Sequence, residues 1–570
     1  MIRSLVALFA LSVITAAAQE TPKPDQAANA LRDQTDKVFA KWDSTVSPGC
    51  ALAVIQNGSI VYERGYGMAD LDHDVSITPQ TVFHVASISK QFTAAAIILL
   101  AQDGKLSLDD DVHKYIPELP AFGGARITLR HLVFHTSGLR DQWSLLGLAG
   151  WRYSLDLITD DDVMRLMELQ KDLNFKPGDQ HVYCNTGYTL LAQIVKRVSG
   201  QSLREFTTRR IFEPLGMAST RFRDDHAEIV KHIAYGYTRE NGRNVYRLSV
   251  TNFDTVGATS LLTTVEDLAR WDENFYHPRV GGQAMIEQQL ERGKLNSGKL
   301  LDYAFGLVDG KYRGLRTIDH AGADAGYRAD LVRFPDQHFS VACLCNEAQT
   351  NPSELARKVT DIWLAGQLKE PPPARVEPST KPVTIAQERL AEYAGLYWKK
   401  DDESAMRIGQ KDGKLFLSES EEDRLDLSPV AENRFLLVVF PVWFTFDQPA
   451  PGAPRRLSVQ GPNDDAPNLF ERVTEFQPAP EQLNAYVGSY VSDEIEPVYS
   501  IAVEDGRLVL KRLKSKPDKL RPLIADYFEG STGELHFKRD QAGEVTGFLL
   551  NTGRIKNFKF RRSASVLAAR

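Results

Sequence analysis

The pattern Leu390, Tyr393, Gly395, Tyr397 returns 93 residues later as Leu483, Tyr486, Gly488, Tyr490, and Asp412-Gly413 returns at the same offset as Asp505-Gly506. Self-similarity at a fixed period marks a duplicated structural unit. Each copy alternates apolar and polar residues (Leu415-Phe416-Leu417-Ser418; Leu508-Val509-Leu510-Lys511) between glycine turns, with no helical period of useful length. The C-terminal third is therefore expected to form two small antiparallel β-barrels. Proline runs bound the copies: Pro371-Pro372-Pro373 with Pro378 and Pro382, then Pro478 and Pro480. Consecutive prolines favour extended chain and cannot sit within helices or central strands, so both runs read as linkers.

The region before Pro371 has a different texture. Cys50–Gln56 and Ser59–Arg64 are β-type runs around Asn57-Gly58, the residue pair that favours a type I′ hairpin. Helical patterns follow at 90–102, with Gly104 as a stop, and at 160–170, 189–198 and 264–275; strand-like runs return at 329–334 and 339–345. A hairpin first, helices in the middle and strands last predicts an α+β domain whose two ends share one sheet. The N-terminus has one positive charge (Arg3), an apolar run from Leu5 to Ile14 and a small-residue site at Ala16-Ala17-Ala18. That combination predicts an export signal cleaved after Ala18; an apolar run of about ten residues is too short for a ~30 Å hydrocarbon core. The expected division is thus 1–18 signal peptide, 19–368 catalytic domain, 369–383 linker, 384–476 barrel and 477–570 barrel. The expected localisation is secreted or periplasmic, with no membrane span after cleavage.

Composition bounds the chemistry. The 570 residues carry a formal charge of −7, so there is no basic excess to neutralise phosphates, and nucleic acid is not expected as a partner. The four cysteines lack the paired spacing of a zinc site. His131 and His135 stand four apart without the Glu of a metalloprotease helix, and read as core or capping residues.

Chemistry enters with Ser87-Ile88-Ser89-Lys90 at the start of a helix. Residues three apart share a helix face, so hydroxyl and amine can meet, and a serine needs such a base to become a nucleophile. A lysine serves as base only when its pKa falls well below ~10.4. The helix N-terminus offers N–H groups where an oxyanion would form. Alone, this spacing is in most cases that of a capping serine beside a solvated lysine. Downstream stand Tyr183-Cys184-Asn185, whose outer two residues project to one side of an extended segment, and His320-Ala321-Gly322 beside a strand-like run, where glycine would let the backbone approach a ligand. Together these are the parts of an acyl-transfer site. Cys184, between Tyr183 and Asn185, should point away as a packed small hydrophobe.

Ser87-x-x-Lys90, Tyr183-x-Asn185 and His320-x-Gly322, in that order, resemble the penicillin-recognising serine hydrolases: class C β-lactamases, D-alanyl-D-alanine carboxypeptidases, D-aminopeptidases and related esterases. Pro48-Gly49, the segment from Arg130 through His135 to Gly138, and the segment from Ser260 to Arg270 agree with it, and the likeness runs from about Leu31 to Leu364. The resemblance implies a β-lactamase-like α+β fold, an antiparallel sheet flanked by helices. It also implies an acyl-enzyme on Ser87, Lys90 and Tyr183 relaying its proton, and no metal or cofactor. By the same resemblance Asn185 would contact the substrate amide and Lys90, and the N–H groups of Ser87 and Ala323 would form the oxyanion hole. His320 and Gly322 would line the substrate site. Typical β-lactamases carry Lys where this chain has His320; that departure, with two appended barrels, is closest in architecture to D-aminopeptidases. The expected substrates are small D-residue amides or peptides, or short esters. The alternatives are a β-lactamase or D,D-carboxypeptidase acting on the cell wall, and a penicillin or muropeptide sensor that acylates without turnover. The barrels are further offered as a contact for cell-wall glycan, although the repeat tyrosines read first as barrel core. The resemblance also places Cys50 beside the strand of Cys343 and Cys345; an exported protein permits a disulfide there, and reduced buried thiols are the slightly favoured expectation.

Overall fold

The computed structural model describes residues 24–240, 245–371, 383, 385–418, 424–437, 442–450, 452–461 and 466–563. The expected signal peptide at 1–18, and residues 372–382 of the expected linker, lie outside the described residues.

The N-terminal region is built on one six-stranded antiparallel sheet. Its strands are β1 (Cys50–Gln56), β2 (Ser59–Tyr66), β3 (Val308–Tyr312), β4 (Leu315–Asp324), β5 (Tyr327–Phe334) and β6 (Phe339–Cys345), in the order β3-β4-β5-β6-β1-β2. The chain's first hairpin thus pairs with its last strand, Cys50 opposite Cys345 through to Gln56 opposite Phe339. Asn57 and Gly58 both take positive φ, 50° and 74°, as a type I′ turn requires. Both faces of β1 are buried, so it reads as a continuous apolar run, and alternation sorts its side chains. Leu52 and Val54 join Phe39, Val341, Leu355 and Val359 beneath helices α1 (Pro24–Phe39) and α5 (Pro352–Trp363). Ala51 and Ala53 face the larger helical core, where their small side chains admit the helices closely.

At the centre of that core runs α2 (Ser89–Gln102), buried from Ser89 through Leu100, and Gly104 at φ 68° follows its end. A helix apolar on every side belongs inside a domain. Beside it lie α3 (Gln142–Leu148) and α4 (Asn185–Ser199), the latter closed by Gly200 in the left-handed conformation. The helices expected at 160–170 and 264–275 form at Asp160–Glu168 and Val265–Glu273, each with a threonine cap.

The cysteine expectation is corrected. Antiparallel register sets Cys50 directly across from Cys345, Cα atoms 4.0 Å apart, and the two form a disulfide. Cys343, two residues along on the same face, remains a buried thiol with its Sγ 3.7 Å from that of Cys345.

The C-terminal region comprises two antiparallel barrels. The first is a closed barrel of eight strands from Gly395 to Val473 around Tyr393, Tyr397, Leu415, Phe435, Phe444 and Phe446. The second, from Gly488 to Arg562, is a nine-stranded sheet curled nearly shut around Tyr486, Tyr490, Phe537, Phe548 and Phe560. The repeat is structural down to single bonds. Tyr397 Oη donates to the Tyr393 carbonyl at 2.8 Å, and Tyr490 Oη donates to the Tyr486 carbonyl at 2.7 Å. Asp412-Gly413 and Asp505-Gly506 form matching turns with positive φ. All four tyrosines are buried, so they build the barrels and offer no stacking platform.

Candidate active site

The cleft lies where α2, α4 and β4 converge. It encloses about 960 Å³ and is lined by Ser87, Tyr183, Asn185, Tyr303, His320 to Asp324, Arg328 and Arg554, among others.

Ser87 occupies a 3-10 turn, Ala86–Ile88, immediately before α2 rather than the α-helix itself. Ala86 sits at φ 47°, a left-handed conformation that costs a side-chain-bearing residue roughly 1–2 kcal/mol and persists only where surroundings enforce it. The enforcing neighbour is β4. A Cβ at Gly322 would lie 2.2 Å from the Val85 carbonyl oxygen and 3.2 Å from the Ala86 Cβ, so only glycine lets the strand pass this close to the turn that bears Ser87. On its Cβ side Gly322 makes room for the protein's own Val85 carbonyl, and the residue also lines the cleft. Among the described residues β4 has no strand partner on that side beyond Asp319, because β3 begins opposite it at Val308 and Ala323 pairs with Arg328 of β5. The edge at 320–324 therefore faces the cleft.

Lys90 lies one turn into α2 with its side chain fully buried. Its Nζ donates to Ser87 Oγ at 3.0 Å, Asn185 Oδ1 at 2.9 Å and the Ala258 carbonyl at 2.7 Å. All three ammonium protons find acceptors. Burial nonetheless dominates and brings the lysine pKa down to about 7, with Arg554 pushing the same way and Asp141 opposing. The ammonium also stands over the rings of Tyr183 and Tyr188, 4.8 and 5.6 Å from their centroids.

Tyr183 is oriented by packing at a tilt against His135, ring centroids 4.2 Å apart and planes 37° from parallel. Its buried hydroxyl has no partner in hydrogen-bond geometry. Burial pushes the phenol far above its ordinary range, while the Ser87 hydroxyl beside it pulls the other way. His135 is itself placed by the Cys184 N–H, which donates to Nδ1 at 3.1 Å. Cys184 is buried, and its thiol donates to the Leu139 carbonyl, away from the cleft.

Asn185 begins α4 and is spoken for on both ends: Oδ1 accepts from Lys90, and Nδ2 donates to Asp141 Oδ2 at 2.9 Å. The Asn185 backbone N–H donates to the same oxygen at 2.7 Å. Asp141 also caps α3 through the Trp143 N–H. One carboxylate thus locks the amide that holds Lys90, and nothing in the sequence distinguishes it from an ordinary helix cap.

His320 carries no charge here. Its Nδ1 lies 2.6 Å from the Ala321 carbonyl oxygen, which assigns the proton to that nitrogen, leaving Nε2 to accept from Tyr303 Oη at 3.2 Å. Burial and Lys90 push its pKa down to about 4. Asp324, also buried, is raised to about 7, with Oδ2 accepting from Thr259 and Oδ1 unpartnered.

The structure thus gathers Ser87, Lys90, Tyr183, Asn185, His320, Gly322 and Ala323 at one cleft, and adds Asp141, His135, Ala258 and Arg554. Arg554 is the residue furthest from the reach of sequence reasoning, because it belongs to the second barrel.

Comparison with known proteins agrees with this geometry. The β-lactamase family profile matches residues 35–362. A penicillin-binding protein of Bacillus subtilis (strain 168) is 31% identical over 412 residues, covering 70% of this chain and 89% of that protein. A D-aminopeptidase of Brucella ovis is 27% identical over 331 residues, 58% of this chain and 62% of that protein's length. Among solved structures, the octameric penicillin-binding protein homologue from Pyrococcus abyssi superimposes with a TM-score of 0.54 at 25% identity, covering 78% of this chain and 99% of its own.

Proposed function

Since the chain belongs to the β-lactamase family, we propose that it is a hydrolase acting through an acyl-enzyme on Ser87, cleaving small D-residue amides or peptides, or short esters. The observation that carries this reading is the Lys90 amine, 3.0 Å from the Ser87 hydroxyl and brought by burial to a pKa of about 7. At neutral pH a large share of Lys90 is unprotonated and can accept the serine proton. Tyr183, pushed far above its ordinary range, stays protonated and cannot. Lys90 is therefore assigned as the base, with Tyr183 as the donor that passes a proton on towards the leaving group.

The steps balance as follows. Ser87 Oγ bonds to the substrate carbonyl carbon as its proton moves to Lys90, and the carbonyl electron pair moves onto oxygen, held by the N–H groups of Ser87 and Ala323. The intermediate collapses, the carbon–nitrogen or carbon–oxygen bond breaks, and the proton departs with the leaving group. Water repeats the sequence on the ester and frees the acid. Asn185, with one N–H committed to Asp141, has its second available for a substrate carbonyl. The Bacillus subtilis relative supports a second reading, in which the acyl donor is a β-lactam or a cell-wall D,D-peptide. Either reading suits export, which rests on the N-terminal pattern ending at Ala18.

The test is to treat the chain from Gln19 onward with a fluorophosphonate, then to assay D-alanine p-nitroanilide, nitrocefin and p-nitrophenyl butyrate. Stable labelling with turnover of at least one substrate is expected. Labelling without any turnover would identify a sensor instead, and equal labelling of Ser87→Ala would move the nucleophile elsewhere.

A further inference from the structure

The second barrel does not merely follow the catalytic domain; one of its turns lines the cleft. Strands β7 (Val545–Thr552) and β8 (Ile555–Arg562) are joined by Gly553 and Arg554 alone, with Gly553 at φ 49° and Thr552 pairing with Ile555. The catalytic domain grips this tip at two points. Asn174 Nδ2 donates to the Arg554 carbonyl at 2.9 Å, and Asn174 Oδ1 accepts from the Lys556 N–H at 2.8 Å. Behind the tip the two regions are fused. Arg140 and Glu494 form a buried ion pair, Tyr499 Oη donates to the Leu148 carbonyl at 2.8 Å, and Arg512 donates to the Gly147 carbonyl at 2.9 Å. The position of Arg554 is thus set by folded structure on both sides.

Its charge has few claims on it. The guanidinium lies 4.9 Å over the Tyr183 ring and 3.4 Å from Asp141 Oδ2, its described side-chain partner. That oxygen already accepts two shorter bonds from Asn185, so the arginine contact is long and peripheral. The side chain is 43% exposed, towards the cleft it lines. Of the other basic groups there, Lys90 has three acceptors and His320 is neutral, while burial lowers the pKa of His181. Arg328 is a second guanidinium on the cleft, but it is more buried and one of its nitrogens is held by the carbonyls of Ala325 and Tyr327. A planar guanidinium with unspent donors, over the Tyr183 ring and on the same cleft as Ser87, is suited to a carboxylate.

We propose that the Gly553-Arg554 turn of the second barrel is the anion-recognition element of this active site, Arg554 pairing with a carboxylate on the substrate. The inference rests on the acyl-enzyme reading and narrows it: among small amides, peptides and esters, those bearing a free carboxylate near the scissile bond are preferred. The positive charge that His320 does not supply comes from another domain.

Two matched pairs test this. One is N-acetyl-D-alanyl-D-alanine against its C-terminal amide, which places the carboxylate on the leaving side. The other is mono-p-nitrophenyl succinate against p-nitrophenyl butyrate, which places it on the acyl side. The ratio of kcat/KM within a pair is independent of the fraction of correctly folded enzyme. Wild type is expected to favour the anionic member of at least one pair by about ten-fold or more, as a charged hydrogen bond implies. Arg554→Ala should bring that ratio close to one, Arg554→Lys should restore part of it, and Arg554→Glu should invert it. A ratio near one in wild type, or the same ratio in wild type and Arg554→Ala, overturns the proposal. Failure of wild type to react with the neutral fluorophosphonate would instead fail the Ser87 reading, so the two are separable.

Discussion

The two barrels carry the same tyrosine corner, the same Asp-Gly turn and the same closing hairpin, yet they do different work. The first closes around a core of its own and packs against the second through Trp398 on Tyr527 and Arg407 with Glu529. The second shares a continuous apolar core with the catalytic domain and extends its last hairpin into the cleft. The last two strands of the first barrel, Arg456–Gln460 and Asn468–Val473, are instead joined by a seven-residue connection, 461–467. The two copies share their tyrosine corners and Asp-Gly turns and differ in the last connection and in the face that packs on the N-terminal domain. On related scaffolds a short loop and a few buried contacts are enough to separate two roles.

The comparison can be broken most forcefully at the docked face. Glu494→Ala would leave Arg140 buried and unpaired, and removing one partner of such a pair costs about 3–5 kcal/mol. Denaturant unfolding followed by intrinsic fluorescence should show that loss, together with a fall in activity. Arg407, which links the barrels, is less buried and is shared by Glu475, Glu529 and the Pro522 carbonyl, so Arg407→Ala should cost less, about 1–3 kcal/mol, with little effect on turnover. If the two variants behave alike, the second barrel is not fused to the catalytic domain in the way described.

A smaller effect concerns pH. Burial and Arg554 depress Lys90 from its ordinary 10.5 to about 7, whereas Asp141 and Asp324 oppose the shift and His320 stays neutral. The base is active when deprotonated, so kcat/KM should rise with pH through about 7 and level off above it. Losing the Arg554 charge should raise the lysine pKa and move that limb to higher pH. A stopped-flow pH series on both proteins measures this, and superimposable limbs would remove Arg554 from the electrostatics of the site.

The smallest effect tests the equivalence of the copies. Tyr397→Phe and Tyr490→Phe each remove one buried hydrogen bond worth about 1 kcal/mol, and should lower Tm by similar amounts. Only Tyr490→Phe, in the barrel that presents Arg554, should also disturb substrate preference.

These contrasts show where sequence reasoning reaches. Ser87 and Lys90 are readable because their spacing stands in order with Tyr183-x-Asn185 and His320-x-Gly322, and the hairpin at Asn57-Gly58 because two residues specify its turn. The repeat was readable because tyrosine corners keep their residues. Asp141 was hidden because a buried carboxylate holding Asn185 looks, in one dimension, like a cap on the following helix. The disulfide depended on register, which places Cys50 opposite Cys345 rather than Cys343, and register is a property of the paired strands. Gly322 stands out in the sequence, but the atom beside it, the Val85 carbonyl, comes from a turn more than two hundred residues earlier. Arg554 was least accessible of all. It is an ordinary residue in an ordinary turn until the barrel docks.

The most direct measurement is the site and rate of acylation. Wild-type protein is labelled with a fluorophosphonate at a series of pH values, digested and mapped by tandem mass spectrometry. The account predicts a single adduct on the peptide containing Ser87, forming at a rate that rises through about pH 7 and is abolished in Lys90→Ala. An adduct on another residue, or Lys90→Ala labelling as fast as wild type, would contradict it.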